Sequence, residues 1–419
     1  MSVELVYMRN DAKSYCPPQT TGVQLPPTEG EIAMPLTWMG EAYDYPADPE
    51  TGVTTVRLTT SLYHHINVYC EHSFSSPDGR RIAILRSRFA DPRIPPSDLL
   101  VADLYTLRLA MLEPEITSYV VATASWSGWI YYLNSRRELM RVNLSTLDKE
   151  VVWTAWPFDP DFIFHSVSPD LRFMIGQMQQ RNFKTALVRI DLVEKDWKVI
   201  YEDYEISNAH PQYNPIHGRD IIVMKAGGYA VNDRQEVKYL DTPNITTHFY
   251  INNEGQNVRM LPFGGEHCPN STGHSGWMGD TGKMACVCAW DGSHFTLDPR
   301  FPDGNIFFAG PEDKEPQCFR TPGYMFNHIG ISRCGRYFVS ESYADGLPGP
   351  VPLVVGNFQT GKYRLLLSNS KASGGAAAVG HPHAYFTADN KHVIFNADPT
   401  MIGHVWAARI PEGFLESLD

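Results

Sequence analysis

The chain lacks any apolar run long enough to span a bilayer, and Met1 to Asp11 contain no apolar core of signal-peptide length. Both absences point to a soluble, cytoplasmic protein with no membrane partner. A basic excess is also missing. With a formal net charge of −12, the surface is unsuited to coating nucleic acid or an anionic membrane, and an acidic ligand has to be met by a local basic pocket. The seven cysteines (16, 70, 268, 286, 288, 318 and 334) are odd in number and show no CxxC spacing, which favours reduced, structural thiols. Familiar catalytic motifs are absent too. Gly273-His-Ser275-Gly is followed by Trp277 and not by glycine, no H-E-x-x-H occurs, and no glycine-rich loop opens a helix to hold phosphate.

Long stretches of helical periodicity are scarce, whereas short Val/Ile/Tyr/Phe runs abound beside 31 Pro and 32 Gly. The profile is all-β. A unit recurs along the chain, in which a polar turn is followed by a short apolar strand. Its copies begin at Ser76 (Ser-Pro-Asp-Gly), Ser168, Asn214, Gly279, Ser332 and Thr387, with a degenerate copy at Ser125. Seven units spaced roughly 43 to 65 residues apart match the period of four-stranded propeller blades. The expected fold is therefore a seven-bladed β-propeller of four-stranded blades over residues 31–419. N-terminal strands near Met34–Trp38 and Thr54–Leu58 are the candidates to join the last blade and shut the ring. Residues 1–30 form an arm of no clear pattern.

Histidines and polar neighbours recur just before these turns: His64, His65 and Asn67; His165; Asn208, His210, Gln212 and Tyr213; His274; Asn327 and His328; His381 and His383. The first strand of each blade lines a propeller's channel, so residues at one phase of the repeat converge on the axis. His381 and His383, two apart in an extended segment, share a face and offer two imidazoles to one ion. His72, His217, His248, His267, His294, His392 and His404 fall outside that phase and read as ordinary structural histidines.

The ordered set Pro46-Ala-Asp-Pro-Glu-Thr-Gly, His64-His-Ile-Asn67, His210-Pro-Gln-Tyr-Asn, Gly273-His-Ser-Gly-Trp277, Asn327-His328 and His381-Pro-His-Ala-Tyr resembles the oligogalacturonate lyase family, polysaccharide lyase family 22. The resemblance runs from about residue 30 onward. It implies a seven-bladed propeller that cleaves short galacturonides by β-elimination with a manganese-type divalent ion. By motif it carries over His274, His381 and His383 as metal ligands and His210 as general base. It also suggests Arg181, His65, Gln212, Tyr213 and His328 as substrate-binding residues. One ligand of the family departs: its glutamine is here Ala378, and water, substrate or His328 is the candidate replacement. The alternatives are a non-catalytic propeller that binds a sugar acid or a protein through its channel, and a lyase acting on another oligouronide.

Overall fold

The computed structural model describes residues 36–419 apart from 88, 90, 91, 119, 120, 159–161, 290–295, 344–348, 376 and 377, and leaves out the Ala378 side chain. The expected arm, the Met34 end of the first closing strand and His294 lie outside the described residues. Repetition of the turn has a concrete cause. Ser76 Oγ donates to Asp78 Oδ1 at 2.5 Å and accepts from the Arg81 amide at 2.9 Å, so one hydroxyl pins both sides of the turn. Ser168 repeats the pattern with Asp170 and the Phe173 amide, and Thr387 repeats it with Asp389 and the His392 amide.

Between these turns the chain forms antiparallel meanders. Three short strands come first: β1 (Trp38–Met39), β2 (Tyr43–Tyr45) and β3 (Thr55–Arg57). The first sheet holds β4 (His64–Ile66), β5 (Arg81–Ser87), β6 (Ser97–Asp103) and β7 (Arg108–Ile116), with β1 on its outer edge. Next come β8 (Ala122–Thr123), β9 (Trp129–Leu133), β10 (Leu139–Asn143) and β11 (Lys149–Trp153). They are joined through a parallel β8–β12 pairing to β12 (Ile163–Val167), β13 (Phe173–Gln179), β14 (Thr185–Asp191) and β15 (Asp196–Asp203).

Strands β16 (Gln212–Tyr213) and β17 (Asp220–Ala226) precede an inserted hairpin, β18 (Tyr229–Val231) and β19 (Val237–Tyr239). Their sheet is completed by β20 (Thr246–Asn252) and β21 (Arg259–Met260). Two more four-stranded sheets follow: β22 (Asn270–Trp277), β23 (Met284–Ala289), β24 (Ile306–Ala309), β25 (Gln317–Phe319); then β26 (Gly330–Ile331), β27 (Tyr337–Glu341), β28 (Leu353–Asn357), β29 (Tyr363–Leu367). In the last sheet β30 (Tyr385–Phe386), β31 (His392–Ala397) and β32 (His404–Arg409) are extended by β3 and β2. The fold is all-β, and among the described residues no helix is long and apolar enough to cross a membrane.

One of the two expected closing strands is corrected. Trp38 and Met39 pair with Ala110 and Leu109 of β7, whereas Thr55, Val56 and Arg57 pair with Ala408, Ala407 and Trp406 of β32. The Trp38 strand therefore edges the first sheet and not the last. Apolar cores continue from sheet to sheet. Leu99, Leu100 and Val101 of the first sheet pack with Ile130 and Tyr132 on one side and with Tyr385, Ile394 and Val405 of the last sheet on the other. Trp406 is buried, with its ring 4.5 Å from that of Tyr45 on β2. Trp406→Ala is expected to cost about 3–5 kcal/mol of unfolding free energy through lost burial and a residual cavity. Urea titration of the variant reads this directly, and a loss under about 1 kcal/mol would show that the β2–β3–β32 junction contributes little.

Candidate active site

The inner strands leave ideal β geometry where they carry polar rings. His210 (φ 43°) and His383 (φ 44°) sit in the left-handed region two residues before β16 and β30, and Val68 (φ 71°) does so after β4. Such conformations are costly for non-glycine residues, most of all for a β-branched one, and they cluster where packing over-determines them. Close approach between strands is equally constrained. A Cβ on Gly330 would lie 2.2 Å from the Ala384 carbonyl oxygen, so only glycine lets the segments bearing His328 and His383 come together.

Three imidazoles converge there. His328, His381 and His383 each place a ring nitrogen within 4.8 Å of the others. Ring centroids lie 4.2 Å apart for His328 and His383 and 5.2 Å apart for His328 and His381. Glu341 on β27 accepts a hydrogen bond from His328 Nδ1, which leaves Nε2 as the lone-pair nitrogen. Burial pushes Glu341 up to about 7, opposed by the charge of His381. Burial, with the charges of His328, His381, Arg93 and His274, holds His383 well below the usual imidazole range, so it stays neutral. Three imidazoles with a carboxylate behind one of them suit a divalent transition ion better than magnesium or calcium.

His274 packs beside these three. Its ring lies 3.9 Å from that of His328, and its Nδ1–H donates to the Asn327 carbonyl at 2.6 Å. The structure thus gathers His328, a candidate both for substrate contact and for the missing fourth ligand, with His381 and His383, and packs His274 against His328. The position of the absent glutamine, Ala378, opens a short 3-10 turn, Ala378–Gly380.

A second cluster faces the first. His210 Nδ1–H donates to Glu71 Oε1 at 2.7 Å, with the carboxylate only 5 % exposed and the imidazole 18 %. Burial disfavours the imidazolium, but the Glu71 charge and hydrogen bond outweigh it, and Arg93 opposes them; the net effect raises His210 above its ordinary value. With Nδ1 engaged, Nε2 is the basic nitrogen. The Tyr69 ring lies between the clusters, 4.8 Å from that of His383 and 6.3 Å from that of His210. Glu71, Tyr69, Glu341 and Arg93 were not legible as site residues. The one available signal was repeat phase counted from the turn: His383, His328, His210 and His72 each stand four residues before their turn's first residue.

Other expected residues lie elsewhere. Arg181 is mostly exposed and pairs with Asp233 at 3.1 Å, whereas the guanidinium whose charge acts on both His210 and His383 is Arg93. His65 is fully buried, its ring stacked 5.9 Å from that of His404, and burial pushes it down to about 3. Gln212 is buried and donates to the Ser275 carbonyl, while Tyr213 is a core residue whose hydroxyl donates to Asn253 Oδ1 at 2.5 Å. These four do not join the histidine clusters. His72, read as an ordinary structural residue, lies beside them instead. It hydrogen-bonds Ser125 at 2.7 Å and, with Glu71, Trp126, Gln212 and Tyr213, lines an internal cavity of ≈ 10 Å³, room for about one water.

With this geometry in view, the chain is similar to oligogalacturonate lyase of Dickeya dadantii (strain 3937), at 22 % identity over 87 % of this chain and 95 % of that protein. It is likewise similar to oligogalacturonide lyase of Pectobacterium atrosepticum, at 24 % identity over 68 % of this chain and 75 % of the relative. Two solved structures share the fold. An oligogalacturonate lyase from Vibrio parahaemolyticus superposes with a TM-score of 0.69 at 18 % identity, covering 90 % of this chain and 99 % of its own. An oligogalacturonate lyase in complex with manganese gives 0.67 at 21 % identity, covering 91 % and 98 %. No protein-family model matches the sequence.

The Gly330–Ala384 approach generates a test. Gly330→Ala should separate the His328 and His383 segments and lower divalent-ion affinity by about 10–100-fold, the range seen when support for a ligand is disturbed. Isothermal titration with manganese measures this, and an unchanged affinity would show that the strands give way without disturbing the trio.

Proposed function

We propose that the protein is a polysaccharide lyase that cleaves short oligogalacturonides by β-elimination, with a divalent ion, manganese by preference, as cofactor. The observation that carries this reading is the pairing of a carboxylate-supported base, Glu71–His210, with the trio His328, His381 and His383. It stands in a chain whose relatives of nearly matching length bear that activity in their names. The same reading takes the sheets as seven blades of one propeller over residues 31–419, shut by β2 and β3 on β32. Its support is the continuity of apolar cores from sheet to sheet, including first with last.

In a galacturonide the proton at C5 lies alpha to the carboxylate, and the bond broken joins C4 to its oxygen. His210 Nε2 accepts the C5 proton, while Glu71 holds Nδ1–H and offsets the imidazolium charge that develops. His328, His381 and His383 would hold the ion, with His274 packed against His328. That ion supplies Lewis-acid stabilisation of charge gathering on the uronate carboxylate. Arg93 adds positive charge facing both clusters, as a polyanionic substrate on a chain of net charge −12 requires.

Purified protein should convert unsaturated digalacturonate to monomers, lose that activity on chelation and regain it with manganese. His210→Ala should lower turnover by about 10²–10⁴-fold while bound metal stays. A metal-replete protein inert toward every galacturonide would defeat the reading. The dyad also fixes a pH response. A base must be neutral, so activity falls as pH drops through the raised pKa of His210. Glu71→Gln removes the carboxylate that raises it, so the acid limb of kcat/KM should move to lower pH. A limb that stays in place would separate Glu71 from the titration.

A further inference from the structure

Resting on the lyase reading, we propose that Tyr69 is a further catalytic residue, the acid that protonates the departing C4 oxygen. A sugar alkoxide is a poor leaving group, and a positioned proton donor is the standard remedy. In a galacturonate ring the C5–H and C4–O bonds project from opposite faces. His210, engaged on the C5–H face, therefore cannot serve the oxygen. A second group is required across the bound sugar.

Tyr69 stands between the base and the trio, where a sugar held by both comes within its reach. Its half-buried ring lies 4.8 Å from the ring of His383, 6.2 Å from that of His328 and 6.3 Å from that of His210, bridging the ion-holding trio and the base. The segment that delivers it is strained: Val68, a β-branched residue, is held at φ 71° immediately before it. Two residues on, the same segment supplies Glu71 to the dyad. Backbone held in so unfavourable a conformation is accounted for when it aims adjacent side chains at the chemistry. Neighbouring groups are less suited. Arg93 does not give up its proton, the trio's lone pairs are committed to the ion, and burial pushes His72 down to about 4 and holds His165 neutral. A tyrosine hydroxyl, by contrast, carries its proton throughout the neutral range.

The proton balance closes without a co-reactant other than water. The C5–H bond breaks, its proton goes to His210 Nε2, and its electron pair forms the C4–C5 double bond. The C4–O bond breaks with its pair on oxygen, which takes the proton of Tyr69 Oη. The phenolate is then reprotonated by water that receives the proton held on His210.

Tyr69→Phe keeps the ring and removes the donor. On unsaturated digalacturonate its kcat should fall about 10²–10³-fold, with KM and bound manganese unchanged. A galacturonide whose C4 substituent is a 4-nitrophenoxy group leaves without needing a proton. On that substrate the variant should match wild type to within about threefold. Equal losses on both substrates, or undiminished kcat on digalacturonate, would overturn the role. Loss of bound manganese would assign Tyr69 to packing against His383 and overturn it as well. Wild-type protein inert toward both substrates overturns the lyase reading itself, and the assignment of Tyr69 with it.

Discussion

The constraint on which the site depends is the departure of its inner strands from β geometry. A regular strand turns alternate side chains to opposite faces of its sheet, where neighbouring sheets cover them. His210 and His383 escape that fate because each sits in the left-handed region two residues before its strand begins. Gly330 lets a second such segment draw in against the backbone of Ala384. The cost of these conformations is met by the sheets outside them, whose central strands are buried along almost their whole length.

Two carboxylates give the two clusters different characters although both are built from imidazole. Glu71 raises the affinity of His210 for a proton, whereas His328, held by Glu341, directs its lone pair at its neighbours. His383, crowded by other rings and the guanidinium of Arg93, is kept neutral. Each environment comes from a different sheet, so the two histidine clusters are tuned independently on one scaffold.

Much of the architecture was legible in the chain because the turn signature is local: a hydroxyl, an acidic residue and an amide within six positions leave a readable trace. His381 and His383 were legible for the same reason. Glu71 and Glu341 were not, since nothing in their own surroundings marks them; their meaning arises from partners 139 and 13 residues away. In the first sheet the phase was misjudged at His65 and His72. There the stretch from strand to turn is longer and is bent at Val68, which rotates the later residues inward. Arg181 was chosen for its place in the repeat, while Arg93 stands on a connection outside it, where periodicity carries no information. Spacing could nominate the histidines of this cluster but could not show that His328 packs against His274 and His383.

The pairing of β3 with β32 bears on the life of the protein before it works. Thr55 leaves the ribosome early and Ala408, its partner, some 350 residues later. Through most of synthesis β2 and β3 wait for the three late strands of their sheet, and the ring of Tyr45 has no Trp406 to pack against. The nascent chain therefore carries an open strand edge for most of its translation, a surface on which two growing chains can pair with each other in place of pairing internally. Yield of native protein in a cell should be governed by chaperone supply and translation density more than by the stability of the finished fold.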